Sequence, residues 1–595
     1  MKNLYQTTAN LDKRAISKYL LSEEILMENA ASALESLIRR VAHAQSVVYI
    51  VCGSGDNGGD GYALARKLHK DYRVKIYEAK EPKSALCQLQ SERAQTCGCE
   101  RVSKILPCDV VVDCLFGSGF GGEMGAEFAR LIESMNANAR IRIACDIPSG
   151  LRVDGSAAER VFDAHYTLSM GALKLALFSD SAKDCVGEVI VGDLGVSRAL
   201  YEVQSPYILL EKSDLKLPHR TKLNCHKGNF GHVAVVSGDK QGASVLSALA
   251  SLRIGAGLVS LVSASAIGTG SVDSSAGSAE SKKVDFADSM DSMDSADSAD
   301  SAEILESLDA GAKSRTSAES SASQSLEASE NLFGAESKGA GFSALNSGVL
   351  DSGVLDSNAG AFGTRANALE SALLDSAFSP FPEIMRQSSL PQNTSVLVVG
   401  MGLGAHDLGL KEILDSSSCA QDRQDDATAN TRASAPKRIK GCVIDADMFY
   451  KREILEVLEM KDLSLVLTPH PKEFAAFCRL CGLGDVSLED VVRERLALAQ
   501  RFSEAYPHAV LLLKGANTII AHQNTIYINP LGTPALAKGG SGDVLSGLIG
   551  GYLAQGFSAL DSAICASLAH ALAAQKERNT YALTPLRLIE HIGEL

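Results

Sequence analysis

The sequence predicts an α/β protein of two successive domains, each a parallel sheet covered by helices, and three observations carry that expectation. Strand-like apolar runs alternate with helix-like runs from about residue 47 to residue 200, the same alternation restarts near residue 229, and glycine- and acid-rich turns follow several of the strand-like runs. At 595 residues the chain is too long for one core, and its 45% hydrophobic content makes burial easy.

The elements follow in order. In "VVYIVCGSGDNGGDGYALARKL", Val47 to Cys52 reads as a buried strand and Tyr62 to Leu68 as an amphipathic helix. "RVKIYEA", "SERAQTCG", "DVVVDCL", "EFARLIESM" and "IRIACDIPSG" continue the rhythm. The second unit opens with "FGHVAVVSGDKQGASVLSALASLRIGAGLVSLV" and resumes at "SVLVVGMGLG", "CVIDADMF", "LSLVLTPHPKEF", "AVLLLKGANTII" and "GGSGDVLSGLIGGYLA". Its two parts are separated by residues 264–380, rich in Ser, Ala, Asp and Gly, with a near repeat "SGVLDSGVLDS" from Ser347. Acids exceed bases there by 13, most of the chain's net charge of -15. Such a segment buries too little apolar surface to offset its ordering entropy, so a disordered insertion is expected. A smaller polar insertion is expected over 415–438. The domains are accordingly read as 1–212 and 213–595.

The charge balance and the absence of Trp argue against a nucleic-acid partner, which needs a basic, aromatic surface. No apolar run is long enough to span a bilayer, and the N-terminus carries charges throughout, so a cytoplasmic protein without membrane contact is expected. Fourteen Cys in so long a chain form no disulfide framework. Cys478 and Cys481 make a C-x-x-C without a second pair, which reads as a plain helix face.

Gly53, Gly55 and Gly58 stand at the spacing G-x-G-x-x-G, and Glu78 lies about where a ribose-binding acid of a dinucleotide fold would fall. Yet the turn also carries Asp56 and Asp60, and fixed carboxylates repel the pyrophosphate that such a turn otherwise attracts. Two later strand ends, "VVDCLFGSGFGGE" and "ACDIPSG", supply Asp113, Asp146 and Ser149. If the three loops meet, Asn57, Asp113 and Ser149 form a set of hard oxygen donors suited to an alkali or alkaline-earth cation. Asp146 is left beside the ligand as an acid or base, although an isolated Asp at such a place is often only a helix cap.

In the second unit, "KGGSGDVLSGLIGGYLA" places a glycine-rich turn before an apolar helix. Amides from Gly539 to Gly542 can converge on an anion, and Asp543 in the first turn can orient or deprotonate a hydroxyl attacking a phosphoryl group. It is not a Walker loop, and Asp543 could serve only as a capping acid. His470, between Pro469 and Pro471, sits at a constrained strand exit.

"LMENAA", "SGDNGGDG", "DCLFGSG" and "DIPSG", in that order, resemble the N-terminal domain of NAD(P)H-hydrate epimerases, with Asp56 in place of the family's first Asn. "VSGDKQGASVLSALASLRIGAGLVSL", "GMGLG", "DAD", "TPHPKEF", "KGANT" and "GGSGDVL" resemble the ribokinase-like NAD(P)H-hydrate dehydratases. Met401 stands where that family usually has Pro, and "DADMFY" departs from its D-A-D-A-L-N. The two resemblances imply a Rossmann-like three-layer domain followed by a ribokinase-like α/β domain. They imply epimerisation of hydrated NAD(P)H, followed by nucleotide-dependent dehydration of the S epimer through phosphorylation of its C6 hydroxyl. They also imply hydrate binding in the first domain by Asp56, Asn57, Gly58, Gly59, Asp60, Gly117, Ser118, Gly119, Phe120, Gly121, Gly122, Glu123 and Asp146, with K+ at Asn57, Asp113 and Ser149. In the second domain they imply hydrate binding by Ala243, Gly402, Gly404, His470 and Asp543, the last as catalytic base alongside Asp146 of the first site. Nucleotide binding falls to Lys514, Gly515, Ala516, Asn517, Thr518, Gly539, Gly540, Ser541 and Gly542, with ADP or ATP as phosphoryl donor accompanied by Mg2+. A homo-oligomer is left open. Two other readings compete: a ribokinase-like sugar or vitamin kinase fused to a nucleotide-binding domain, and a non-catalytic nucleotide-binding scaffold.

Overall fold

The buried strands alternate their side chains between two faces, and each face has its own core. Val48, Ile50 and Cys52 join one hydrophobic cluster while Tyr49 and Val51 join another. In the second half of the chain Val233 and Val235 part from Ala234 and Val236 in the same way. Strands buried on both faces are what parallel sheets covered by helices require, so their sequences read as continuous apolar runs. The computed structural model describes residues 1–267, 381–416 and 438–595, which fall in one compact unit. The expected insertions lie outside the described residues except at their ends, where Ala264–Ile267 and Leu410–Ser416 are helical.

Seven parallel strands form the first sheet, in the spatial order Glu100–Val102, Arg73–Glu78, Val47–Cys52, Cys108–Cys114, Ala139–Cys145, Tyr166–Met170 and Glu188–Gly192. Counting from Val47–Cys52, the order runs outward in both directions, so the strand order reverses between Val47–Cys52 and Cys108–Cys114. A doubly wound sheet opens its ligand crevice at that switch point, beyond the strands' carboxyl ends.

The second sheet has eleven strands. Its parallel centre runs Val510–Leu513, Ser464–Leu467, Gly441–Ile444, Val396–Val399, His232–Ser237, Leu258–Ser263 and Met385–Gln387, and Thr518–His522 and Thr525–Asn529 extend it as an antiparallel hairpin. Tyr207–Leu209 then pairs parallel to Thr525–Asn529, and Lys2–Leu4 pairs antiparallel to Tyr207–Leu209. Both of these short strands fall within the residues read as the first domain, yet they complete the sheet of the second.

Candidate functional sites

At the first switch point the loops close on one another. A Cβ at Gly53 would lie 1.9 Å from the Leu115 carbonyl oxygen, and one at Gly58 would lie 2.1 Å from the Gly53 oxygen. These two glycines therefore serve loop packing as much as any ligand. Glu78 is engaged elsewhere: it accepts hydrogen bonds from the Tyr62 hydroxyl and the Arg101 guanidinium, so it does not act as a ribose acid.

A cavity of about 840 Å³ opens above the strand ends. Asp56, Asn57, Asp60, Gly117, Ser118, Gly119, Phe120, Gly121, Glu123 and Asp146 line it. Gly58 and Gly59 are buried instead, with Gly59 facing Met27, and the Gly122 carbonyl accepts from Arg152. Asp146 holds a left-handed φ of 70°, pairs with Lys174 and accepts from the Met170 amide at 3.2 Å. Lys174 is 1% exposed, and removing Asp146 would leave it buried without an acidic partner. Burial, then the neighbouring Asp146 and Asp56, push the Asp60 carboxyl well above the usual carboxylate range. Asp12 and Thr8, from the N-terminal segment, also line the cavity, and Tyr201 donates to Asp12 at 2.5 Å. Sequence reasoning missed Asp12, Lys174 and Tyr201. The one available signal was Lys174 itself, a lone Lys inside the apolar run "GALKLALF".

Asp113 and Ser149 are hydrogen-bonded to each other at the strand ends beside this cavity, and Asn57 lines the cavity. Ser149 donates from its hydroxyl and its amide to the two Asp113 oxygens, both at 2.7 Å, and the Leu115 amide donates at 3.1 Å. Asp113 is fully buried, no Lys or Arg pairs with it among the described residues, and burial pushes it up to about 6. The Asn57 Nδ2 is buried without a hydrogen-bond partner. One carboxylate among neutral oxygen donors is a hard donor set that fits an alkali or alkaline-earth cation. Among the described residues no group of three or more His, Cys, Asp or Glu side chains could hold a metal ion. The C-x-x-C is consistent with that, since Cys478 lies in the core and the Cys481 thiol donates to the Phe477 carbonyl.

In the second sheet Gly238, Gly400, Asp445, Thr468 and Lys514 each follow a central parallel strand, so their loops share one end of the sheet. Lys514 reaches across to Asp445 at 2.6 Å, and Ser546, on the helix Ser541–Ala554, donates to the other Asp445 oxygen at 2.5 Å. Gly540 caps that helix at φ 89°, where Pro585 would crowd a side chain, and His570 holds the Ser541 carbonyl at 2.9 Å. Burial drives His570 down to about 4, so it is neutral there. Asp543 lies in the first turn of this helix. Burial pushes it up to about 6, Asp445 and Glu473 push the same way, and Lys514 opposes them. A Cβ at Gly542 would sit 3.2 Å from the Lys514 ammonium, so Lys514 crosses the helix start.

The other expected residues are placed as follows. The Gly404 amide donates to Asp447 at 2.9 Å and the Gly402 carbonyl accepts from the Lys240 amide, which ties "GMGLG" to the loop preceding Ala243. His470 caps the helix Pro471–Leu480, its Nδ1 accepting from the Lys472 and Glu473 amides while Glu473 accepts from the His470 amide at 2.7 Å. Its side chain is 45% exposed, so the ring retains an open face. Asn517 differs from expectation: it is 3% exposed, and its side chain bonds to Phe178, Ser179 and Lys183 of the first domain, so that side chain is not available to a nucleotide.

Fold and sites together define a chain with two α/β ligand-binding domains, one with an acid–lysine pair at a Rossmann-type switch point, the other with an acid behind a glycine-rich helix start. The family model described as NAD(P)H-hydrate dehydratase matches residues 334–594, and that described as YjeF-related protein N-terminus matches residues 23–176. The chain is 37% identical over 602 residues to the bifunctional NAD(P)H-hydrate repair enzyme Nnr of Helicobacter pylori, covering 100% of both chains. It is 27% identical to the enzyme of the same name from Coxiella burnetii, over 97% of this chain and 95% of that one. Among solved structures, an ADP/ATP-dependent NAD(P)H-hydrate dehydratase from Bacillus subtilis matches at 17% identity and a TM-score of 0.35, over 63% of this chain and 92% of that one. The chain belongs to the family of bifunctional NAD(P)H-hydrate repair enzymes.

Proposed function

We propose that the first domain interconverts the R and S epimers of hydrated NAD(P)H and that the second dehydrates the S epimer to NAD(P)H, with ADP as phosphoryl donor. The observation that carries the second half is Asp543: a carboxyl pushed up to about 6, at a glycine-rich helix start crossed by Lys514. An acid so placed accepts a hydroxyl proton near neutral pH while amides and an ammonium hold phosphate oxygens.

The C6 hydroxyl of the S epimer attacks the terminal phosphoryl group of ADP, its proton passes to Asp543, and the phosphoanhydride bond breaks with AMP as leaving group. The C6–O bond then breaks with phosphate as leaving group, and loss of a proton from C5 restores the ring double bond. Lys514 to Thr518 and Gly539 to Gly542 form the nucleotide site, the nucleotide being taken as its Mg2+ complex, with Asn517 anchoring the loop instead of offering its side chain or amide to the ligand. Ala243, Gly402, Gly404 and His470 shape the ring pocket. In the first domain Asp146, oriented by Lys174, takes the proton of the C6 hydroxyl as the C6–N1 bond opens to an aldehyde, and returns it to that oxygen when N1 re-adds to the opposite face of the carbonyl. Asn57, Asp113 and Ser149 would hold a potassium ion, which when bound supplies positive charge against the buried Asp113 carboxylate.

The test is incubation with mixed NADHX epimers and either ADP or ATP, following NADH absorbance. Complete conversion of both epimers requires both activities. Conversion that stops when the S epimer is consumed removes the epimerase assignment, and a stable phosphorylated product without NADH supports the kinase reading instead.

A further inference from the structure

The loop Lys514–Thr518 is held from outside its own domain. Its contacts come from the segment that follows the strand Tyr166–Met170 of the first sheet, where Leu175–Phe178 forms a short 3-10 helix and Ser179 to Lys183 continue the chain. Asp180 accepts from the Asn517 amide at 2.8 Å, and Lys183 donates to the Ala516 carbonyl at 2.5 Å and to the Asn517 and Pro530 oxygens at 3.1 Å. The Asn517 side-chain Nδ2 donates in return to the Phe178 and Ser179 carbonyls, at 2.9 and 3.0 Å.

A third charged group completes the arrangement. Arg495, on the helix Leu488–Ala505, is 7% exposed and pairs with Asp180, and the same guanidinium donates to the Lys514 carbonyl at 2.9 Å and the Leu513 carbonyl at 3.3 Å. Gly515 makes room for it: a Cβ there would lie 2.1 Å from Arg495 Nη2. The carbonyls of 514 and 516, the amide of 517 and the Asn517 side chain are thus all fixed on one side of the loop. The Lys514 ammonium points to the other side, toward Asp445 and Gly542. An interface that only glued two domains together could do so through side chains alone. This one bonds the backbone of Ala516 and Asn517 directly and that of Lys514 through Arg495, three of the five residues read as nucleotide contacts.

We infer that Asp180 and Lys183 of the epimerase domain, acting with Arg495, are positioning residues for the dehydratase reaction: they hold the Lys514–Thr518 loop in the geometry that receives the adenine nucleotide. The inference rests on the reading of that loop as a nucleotide contact. A loop whose backbone is pre-set loses less freedom when its ligand binds, so its removal shows as weakened nucleotide binding rather than as lost chemistry.

The experiment compares Asp180→Ala, Lys183→Met and Lys183→Arg with the wild-type full chain, measuring KM for ADP, KM for (S)-NADHX, kcat and the epimerase rate. Expected is a rise in KM for ADP of about tenfold or more for Asp180→Ala and Lys183→Met, the loss of hydrogen bonds to charged groups. The other three quantities should stay within about threefold, and Lys183→Arg should restore most of the ADP affinity. A structural role alone would lower both activities together, and the epimerase rate of the same sample reports that outcome, which overturns the inference. Lys514→Met separates the two levels. If it raises KM for ADP while Asp180→Ala and Lys183→Met do not, the loop binds nucleotide but the first domain does not set it, and the inference fails alone. If Lys514→Met also leaves KM for ADP unchanged, the nucleotide reading of the loop falls and the inference with it.

Discussion

Asp543→Asn is the sharpest single perturbation. The substitution keeps the size of the side chain at the first turn of Ser541–Ala554 and removes the base. If Asp543 accepts the C6 hydroxyl proton, nucleotide still binds while dehydratase turnover falls by roughly 10²- to 10⁴-fold. If the residue only supports the helix start, Asn serves nearly as well. The structure adds a pH signature. With its carboxyl pushed up to about 6 by burial and by Asp445, Asp543 is about nine-tenths ionised at pH 7 and about one-tenth ionised at pH 5. Wild-type turnover should therefore drop by about tenfold between those values with a midpoint near 6, and the residual activity of Asp543→Asn should lack that limb. Stability moves the other way. A carboxyl raised in the folded state favours folding below its unfolded value, and that contribution is lost as pH rises through about 6. The ionised form thus opposes folding at pH 7 by at most about 3 kcal/mol, less after solvent screening of a partly exposed group. Asp543→Asn should accordingly raise the thermal midpoint at pH 8 and not at pH 4. The assays are NADH recovery from (S)-NADHX across pH 5–8, and thermal melts at the two extremes. A folded Asn variant that keeps more than about a tenth of wild-type turnover, or that retains the acid limb, would refute the base assignment.

Other outcomes follow from the same description. Asp146→Asn should abolish exchange between R- and S-NADHX while (S)-NADHX is dehydrated at the wild-type rate; loss of both activities in a folded variant would point to one composite site. Exchanging K+ for choline should lower the thermal midpoint of the wild-type chain, and Asp113→Asn should lose that dependence, because no buried acid is left to compensate; equal K+ sensitivity in both would place the cation elsewhere. Leu258–Ser263 and Met385–Gln387 are parallel neighbours in the second sheet, so they need a crossover but not a long one. Replacing residues 268–380 by a Gly/Ser linker of about 15 residues should therefore leave dehydratase turnover within a few fold, since loop closure costs little per added residue; an insoluble or inactive product would show that the segment contributes to the fold.

The strand-end loops were legible because each carries its chemistry within a few consecutive residues. "SGDNGGDG", "DCLFGSG" and "DIPSG" together name half of the cavity lining, and "KGANT" and "GGSGDVL" contain Lys514 and Asp543. What was not legible comes from long sequence separations. Asp12 and Tyr201 meet across 189 residues, and Asp180 and Arg495 across 315. Each residue alone looks like a solvated surface charge or an ordinary aromatic. Lys2–Leu4 is only three residues long, too short for a period of two to register. Asn517 shows the opposite failure, since its motif was recognised but its side chain serves a partner that no local pattern announces.

The sheet edge formed by Lys2–Leu4, Tyr207–Leu209 and Thr525–Asn529 has a consequence for biosynthesis. The first two strands can pair once residue 209 has left the ribosome, but the strand that receives them is made some 320 residues later. At about 5–20 residues per second, that is roughly 16–64 s during which a nascent two-stranded ribbon presents unpaired amides and carbonyls. Two-stranded ribbons are marginal on their own. The outer edge of that ribbon therefore stays unpaired until residue 529 has been made, and the newborn first domain carries an open seam for that interval even though Tyr5 already bonds to Leu173 within it.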